Sequence, residues 1–72
     1  MNLVILRTNI ESENGVRIMR PVFDNHDAIH KWSIDLEDVD NVLRIETKKS
    51  IAETEIIQLI EASGFYGVEL ED

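Results

Sequence analysis

Thr8-Asn9-Ile10-Glu11-Ser12-Glu13-Asn14-Gly15-Val16 is where the periodicity of the chain changes, and the change decides the fold. Before it, Leu3, Ile5 and Arg7 alternate with Val4, Leu6 and Thr8. Both sets are largely apolar, which suits a central strand over Leu3 to Asn9 with one face against helices. After it, Val16, Met19 and Phe23 recur at i, i+3 and i+7 with Val22 beside them, the signature of a helix. Ser12 or Asn14 is placed to cap that helix by accepting a bond from a free backbone N–H. Glu11 and Glu13 favour its positive end. Pro21 lacks an N–H and presses on the preceding turn, so it predicts a kink, or a helix that settles only after its first turns.

Outward from this passage, Asp24-Asn25-His26-Asp27 ends the helix and Ile29 to Leu36 alternates again. Trp32, Ile34 and Leu36 face one way and Lys31, Ser33 and Asp35 the other, as in a half-buried strand. Glu37-Asp38-Val39-Asp40-Asn41 reads as a turn, and Val42 to Thr47 as a strand with Leu43 and Ile45 inward. Two strands joined by so short a turn form an antiparallel hairpin. Ser50-Ile51-Ala52-Glu53 matches a capping box for a second helix, whose buried stripe is Ile56, Leu59, Ile60 and Ser63 with Ile57 at the margin. Gly64 is placed to end it in the left-handed conformation. Phe65 to Leu70 reads as a last strand and Glu71-Asp72 as a solvated end. The order is βαββαβ, so the expectation is an α+β ferredoxin-like sandwich: a four-stranded antiparallel sheet with two helices on one face.

Seventy-two residues leave room for one core, so residues 1–72 read as a single domain. Cysteine is absent, which removes disulfides, thiolate catalysis and thiolate metal sites. The apolar run in Met1-Asn2-Leu3-Val4-Ile5-Leu6-Arg7 has neither a preceding basic region nor a cleavage site, so it reads as a strand and not a signal peptide. Together with the absence of any long apolar stretch, this makes the cytoplasm the expected location. A formal charge of −8 with scattered Lys and Arg argues against nucleic acid and anionic membranes as partners.

Taken in order, Thr8-Asn9-Ile10, Val16 with the helix behind it, Trp32-Ser33-Ile34-Asp35-Leu36, Val42-Leu43-Arg44-Ile45-Glu46, Glu55-Ile56-Ile57 and Ala62-Ser63-Gly64-Phe65 resemble the heavy-metal-associated domain family, the small copper-chaperone-like fold. The resemblance covers nearly the whole chain. It implies a site between the first strand and the first helix, where the family keeps a Cys-x-x-Cys pair for Cu(I) or another soft ion. Here those positions are Ser12 and Gly15, and Ile10 stands where many members have methionine. A hydroxyl is a poor ligand for soft metals and glycine offers only backbone, so the family's ligand chemistry is missing.

Other candidates are weaker in chemistry. Asp24, His26, Asp27 and His30 form the densest set of donors, with His26 and His30 four apart, but the expected strand from Ala28-Ile29 breaks a shared helix face. Glu11, Glu13, Glu37, Asp38 and Asp40 are expected at one end of the fold, an oxygen-only set that suits Ca²⁺ or Mg²⁺. Nucleophilic catalysis has no support, nothing resembles a phosphate-cradling loop, and no cofactor is expected, so the chain does not read as an enzyme. What remains is surface. Leu3, Ile5, Val42 and Phe65 are expected on the face of the sheet away from the helices, and Phe65-Tyr66 could form an aromatic docking point beside the vacant loop. The leading expectation is therefore a non-catalytic protein-interaction module with a protein partner or a weak homodimer. The alternatives are metal handling through acidic or His ligands, and a regulatory domain that senses small molecules at a dimer interface.

Overall fold

The structure, a computed structural model, describes residues 2–70. Six elements follow the expected order: β1 (Asn2–Thr8), α1 (Glu13–Asp24), β2 (Ile29–Ile34), β3 (Leu43–Thr47), α2 (Glu53–Ala62) and β4 (Gly67–Glu69). The sheet runs β2-β3-β1-β4 with every neighbouring pair antiparallel. This is the ferredoxin-like arrangement, with β1 and β3 central and the other two strands at the edges. The solvated end read at Glu71-Asp72 lies outside the described residues.

Alternation in β1 sets the layers. Leu6 and Thr8 are buried while Leu3 and Arg7 are exposed, so one face of the sheet meets the helices and the other stays open. Leu43 and Ile45 of β3 join Leu6 beneath α1 and α2, which contribute Met19, Phe23, Ile56 and Ile60, all fully buried. Burying each of these large side chains stabilises the fold by about 1.5–3 kcal/mol relative to exposure.

β2 carries an irregularity that alternation did not predict. Ile29 pairs with Thr47 and Lys31 with Glu46, so His30 is an extra residue in the ladder. A one-residue insertion reverses facing, which is why Ile29 is buried although Trp32, three residues on, also turns toward the helices.

Three local expectations are corrected. α1 runs without a break from Glu13 through Pro21 to Asp24, and does not wait for its later turns. Pro21 and Arg17 both lie on the exposed side, where the carbonyl left without an N–H partner can be hydrated. Ser50 does not cap α2. The N-cap is Ala52, with no side-chain bond, because Lys48 to Ile51 are spent crossing from the sheet to the helix layer. That crossing is pinned by the Lys48 N–H on the Ala28 carbonyl at 2.7 Å, and by Ile51 packing against the core. Only Glu53 and Glu55 favour this helix start. Replacing Ala52 by Asp should therefore raise stability by about 0.5–1 kcal/mol, read as a higher urea midpoint at unchanged slope. β4 is shorter than expected, starting at Gly67, although the Leu70 N–H still reaches the Ile5 carbonyl at 3.4 Å.

The end of α2 follows expectation. Gly64 has φ +94°, its N–H donates to the Glu61 carbonyl at 3.0 Å, and the Phe65 N–H donates to the Ile60 carbonyl at 3.2 Å. That pair of bonds is the Schellman motif, and it turns Phe65 back toward the start of α1.

Candidate functional site

The β1–α1 loop is fastened from both sides. The buried Thr8 hydroxyl donates to the Asn41 carbonyl at 2.7 Å and accepts from the Ile10 N–H at 3.2 Å. The Thr8 N–H donates to the Asp40 carbonyl at 3.1 Å. On the other side, the Asn9 Oδ1 accepts from the Tyr66 N–H at 2.8 Å. The strand end, the β2–β3 turn and the α2–β4 connection thus meet at one end of the sheet.

Ser12 is the N-cap of α1. Its hydroxyl accepts from the Gly15 N–H at 3.5 Å, a long bond, while its carbonyl accepts from the Val16 N–H at 3.2 Å. Ser12, not Asn14, therefore takes the capping role. Gly15 is buried in the first turn of the helix. A Cβ built there would stand 2.9 Å from Ile10 Cγ2 and 3.4 Å from Phe65 Cζ. Ile10 is fully buried and Phe65 packs against the core. The space that a side chain at residue 15 would enter is filled by two apolar groups. Ser12 and Gly15 do not fit a soft cation: one offers a capping hydroxyl, the other a backbone with no room for a side chain.

Two acidic residues at this end, Asp35 and Asp38, are used locally. The Asp35 carboxylate accepts from the Glu37 N–H at 3.0 Å, and the Asp38 carboxylate from the Asp40 N–H at 2.8 Å. These bonds build the turn that ends at Asn41, whose φ of +43° suits asparagine. At the opposite end of the sheet, His26 Nδ1 accepts from the Ala28 N–H at 3.1 Å, and its Nε2 lies 3.4 Å from Glu55 Oε2. Nδ1 is thus the accepting nitrogen and Nε2 the one turned toward the carboxylate. His30 is exposed in β2. Among the described residues, no group of three or more His, Asp or Glu is close enough to hold a metal ion.

The residues read as a possible contact surface are divided by the structure. Leu3 is 57% exposed and Ile5 half-buried on the open sheet face. Val42 is buried, 4% exposed, just ahead of β3, where its carbonyl accepts from the Asp35 N–H at 2.9 Å. It is therefore not part of that surface: the hairpin closes over it before the ladder begins. Phe65 is half-buried against Gly15, and Tyr66 is 48% exposed beside Asn9. Val68, exposed on β4 opposite Arg7, was missed because the last strand was read without a register. No helix among the described residues is long and apolar enough to cross a membrane.

No family model and no curated protein matches the sequence. Solved structures do match by shape. A protein of "Crosstalk between Cu(I) and Zn(II) homeostasis" superposes with a TM-score of 0.81 at 6% identity, covering 97% of this chain and 100% of the other. The CsoZ metallochaperone gives 0.76 at 19% identity over 93% and 96%. The apo heavy-metal-associated domain of the copper chaperone for superoxide dismutase gives 0.76 at 18% identity over 97% and 69%. On its element order, its sheet topology and these superpositions, the chain has the fold of the heavy-metal-associated copper-chaperone domains, on a sequence that contains no cysteine.

Proposed function

We propose that this chain is a non-catalytic protein-interaction module on the heavy-metal-associated fold, one that does not carry a soft metal through the β1–α1 loop. The observation that carries the reading is Gly15. It stands at the second ligand position, and the space around it is taken by Ile10 Cγ2 and Phe65. A chaperone loop needs two thiolates that a partner's thiolates can reach, whereas this loop is an apolar plug closed by a capping serine.

Enzymatic chemistry finds no support in the side chains. At the loop end the Asp35 and Asp38 carboxylates bond to backbone N–H groups of their own turn, and His26 Nδ1 is taken by the Ala28 N–H. A net charge of −8 disfavours nucleic acid. A cysteine-free core that holds by packing alone suits a reducing, cytoplasmic setting. Partner docking is left as the use of the preserved frame, and the open sheet face offers Leu3, Ile5 and Val68 for it.

The test is a Cu(I) titration of the purified chain in competition with a chromogenic chelator, repeated with Zn²⁺. The chelator should keep the metal at equimolar protein. Stoichiometric sub-micromolar retention of either ion by the chain would overturn the reading. If amide shifts then moved only at Glu11, Glu13 and residues 37–41, or at His26 and His30, metal handling through oxygen or imidazole ligands would replace it.

A further inference from the structure

The open face of the sheet can be laid out row by row from the strand register. Lys31, Glu46 and Leu3 form one row, and Ser33, Arg44 and Ile5 the next. Arg7 and Val68 follow on the β1–β4 side. At its paired strand positions the face therefore carries three cationic side chains and one carboxylate around an apolar centre, with exposed Asp35 just beyond the end of β2, on a chain whose formal charge is −8. Arg7, Lys31 and Arg44 are all exposed. None of them makes an ion pair with a carboxylate among the described residues. A depression of about 400 Å³ lies on this face, lined by Leu3, Lys31, Ser33, Arg44 and Glu46 among others.

The asymmetry is directional. Three of the seven Lys and Arg of the chain sit on this one face, so the acidic excess lies elsewhere. Exposed cations around exposed Leu3 and Val68 complement carboxylates interspersed with apolar side chains. A second copy of the chain is a poorer occupant. A two-fold dimer through this face would bring Arg7, Lys31 and Arg44 of both copies into one interface, with only Glu46 in the strand rows of each copy to offset them.

We propose that the open sheet face binds an acidic, apolar-bearing peptide segment of a partner protein, held by Lys31, Arg44 and Arg7 around Leu3, Ile5 and Val68. This rests on the interaction reading above and names the partner's chemistry. The occupant supplies carboxylates to the cations and an aliphatic side chain to the depression.

Amide chemical-shift titration of the full chain tests it with three synthetic peptides of equal length, alternating Glu/Leu, Ser/Leu and Lys/Leu. The Glu/Leu peptide should bind tightest and move the amides of Leu3, Ile5, Lys31, Ser33 and Arg44. Its affinity should fall as salt rises, and by roughly tenfold in the double variant Lys31→Glu/Arg44→Glu. Those positions are exposed, and the variant's own spectrum verifies its fold. Preference for Ser/Leu or Lys/Leu at the same face would overturn the acidic partner and leave the interaction reading standing. Shifts at Phe65 and Tyr66 alone would overturn the location, and concentration-dependent shifts of this face without peptide would make a second copy the occupant. If no peptide binds, the proposal falls; if stoichiometric Cu(I) binding accompanies that result, the interaction reading falls with it.

Discussion

Phe23→Ala should cost about 3–5 kcal/mol, the largest loss expected from any single truncation in this chain. Phe23 is fully buried at the last turn of α1, and its ring meets Trp32 of β2 edge-on with centroids 5.2 Å apart and planes at 61°. Removing it takes away the transfer term of the largest fully buried side chain, the aromatic pair, and the contact that seats α1 on the sheet. A chain of this size has a total stability of roughly 4–11 kcal/mol, so the variant should be partly unfolded or close to it at room temperature. The melting temperature should drop by about 15 °C or more. Trp32 is the only tryptophan, so its fluorescence reports the transition directly. Its indole N–H donates to the Asp24 carboxylate at 2.8 Å, and loosening α1 should break that bond and shift the emission. A loss under about 1 kcal/mol in urea titration would mean that α1 is held by Met19 and Val16 without Phe23, contrary to the packing described here.

The fold was legible because its layers rest on two simple periods. Leu3 to Thr8 alternates and Val16 to Phe23 repeats every three or four residues, and the structure turns these patterns into β1 and α1 nearly residue for residue. Gly64 could be placed for the same reason, since a positive φ at the end of an apolar stripe is a local demand. What was not legible depends on partners distant in sequence. Ser50-Ile51-Ala52-Glu53 has the residues of a capping box, but where a helix starts also depends on how much chain is needed to reach it. The Ala28–Lys48 bond and the packing of half-buried Ile51 against the core move that start to Ala52. The extra residue at His30 was hidden because an insertion in a ladder shows only once the opposing strand is in place.

The loop shows the same division. That residues 12 and 15 are not thiolates is plain from the sequence, and Ser12 as a cap follows from its residue type. That the loop is filled follows only from the Schellman turn, which carries Phe65 across to Gly15, and from Ile10 lying beneath. A missing ligand and an occupied space are different statements. An occupied space means that placing any side chain at residue 15 requires the core under the loop to move as well.

That difference can be measured. Gly15→Val should destabilise the chain by about 2–3 kcal/mol, although glycine inside a helix is ordinarily the weaker choice. Helix propensity favours valine by only about 0.4 kcal/mol, and by no more than about 1 kcal/mol even for alanine. Against that gain, a Cβ at residue 15 begins 2.9 Å from Ile10 Cγ2, closer than carbon atoms pack. Ile10 cannot easily turn aside, because it is fully buried and β-branched and so stiff at χ1. Phe65 closes the other side at 3.4 Å and is held by the Ile60–Phe65 bond. The steric term therefore wins. Ile10→Ala alone should cost about 2–5 kcal/mol as a cavity mutation. If the two side chains contend for one space, the double variant should cost less than the separate losses added together, by about 1 kcal/mol or more. Strict additivity in urea titrations would show that residue 15 finds room elsewhere, and the plug argument would fail. A cysteine at position 15 begins from the same Cβ, so the coupling between Gly15 and Ile10 also measures how far this core must move to accept a thiol there.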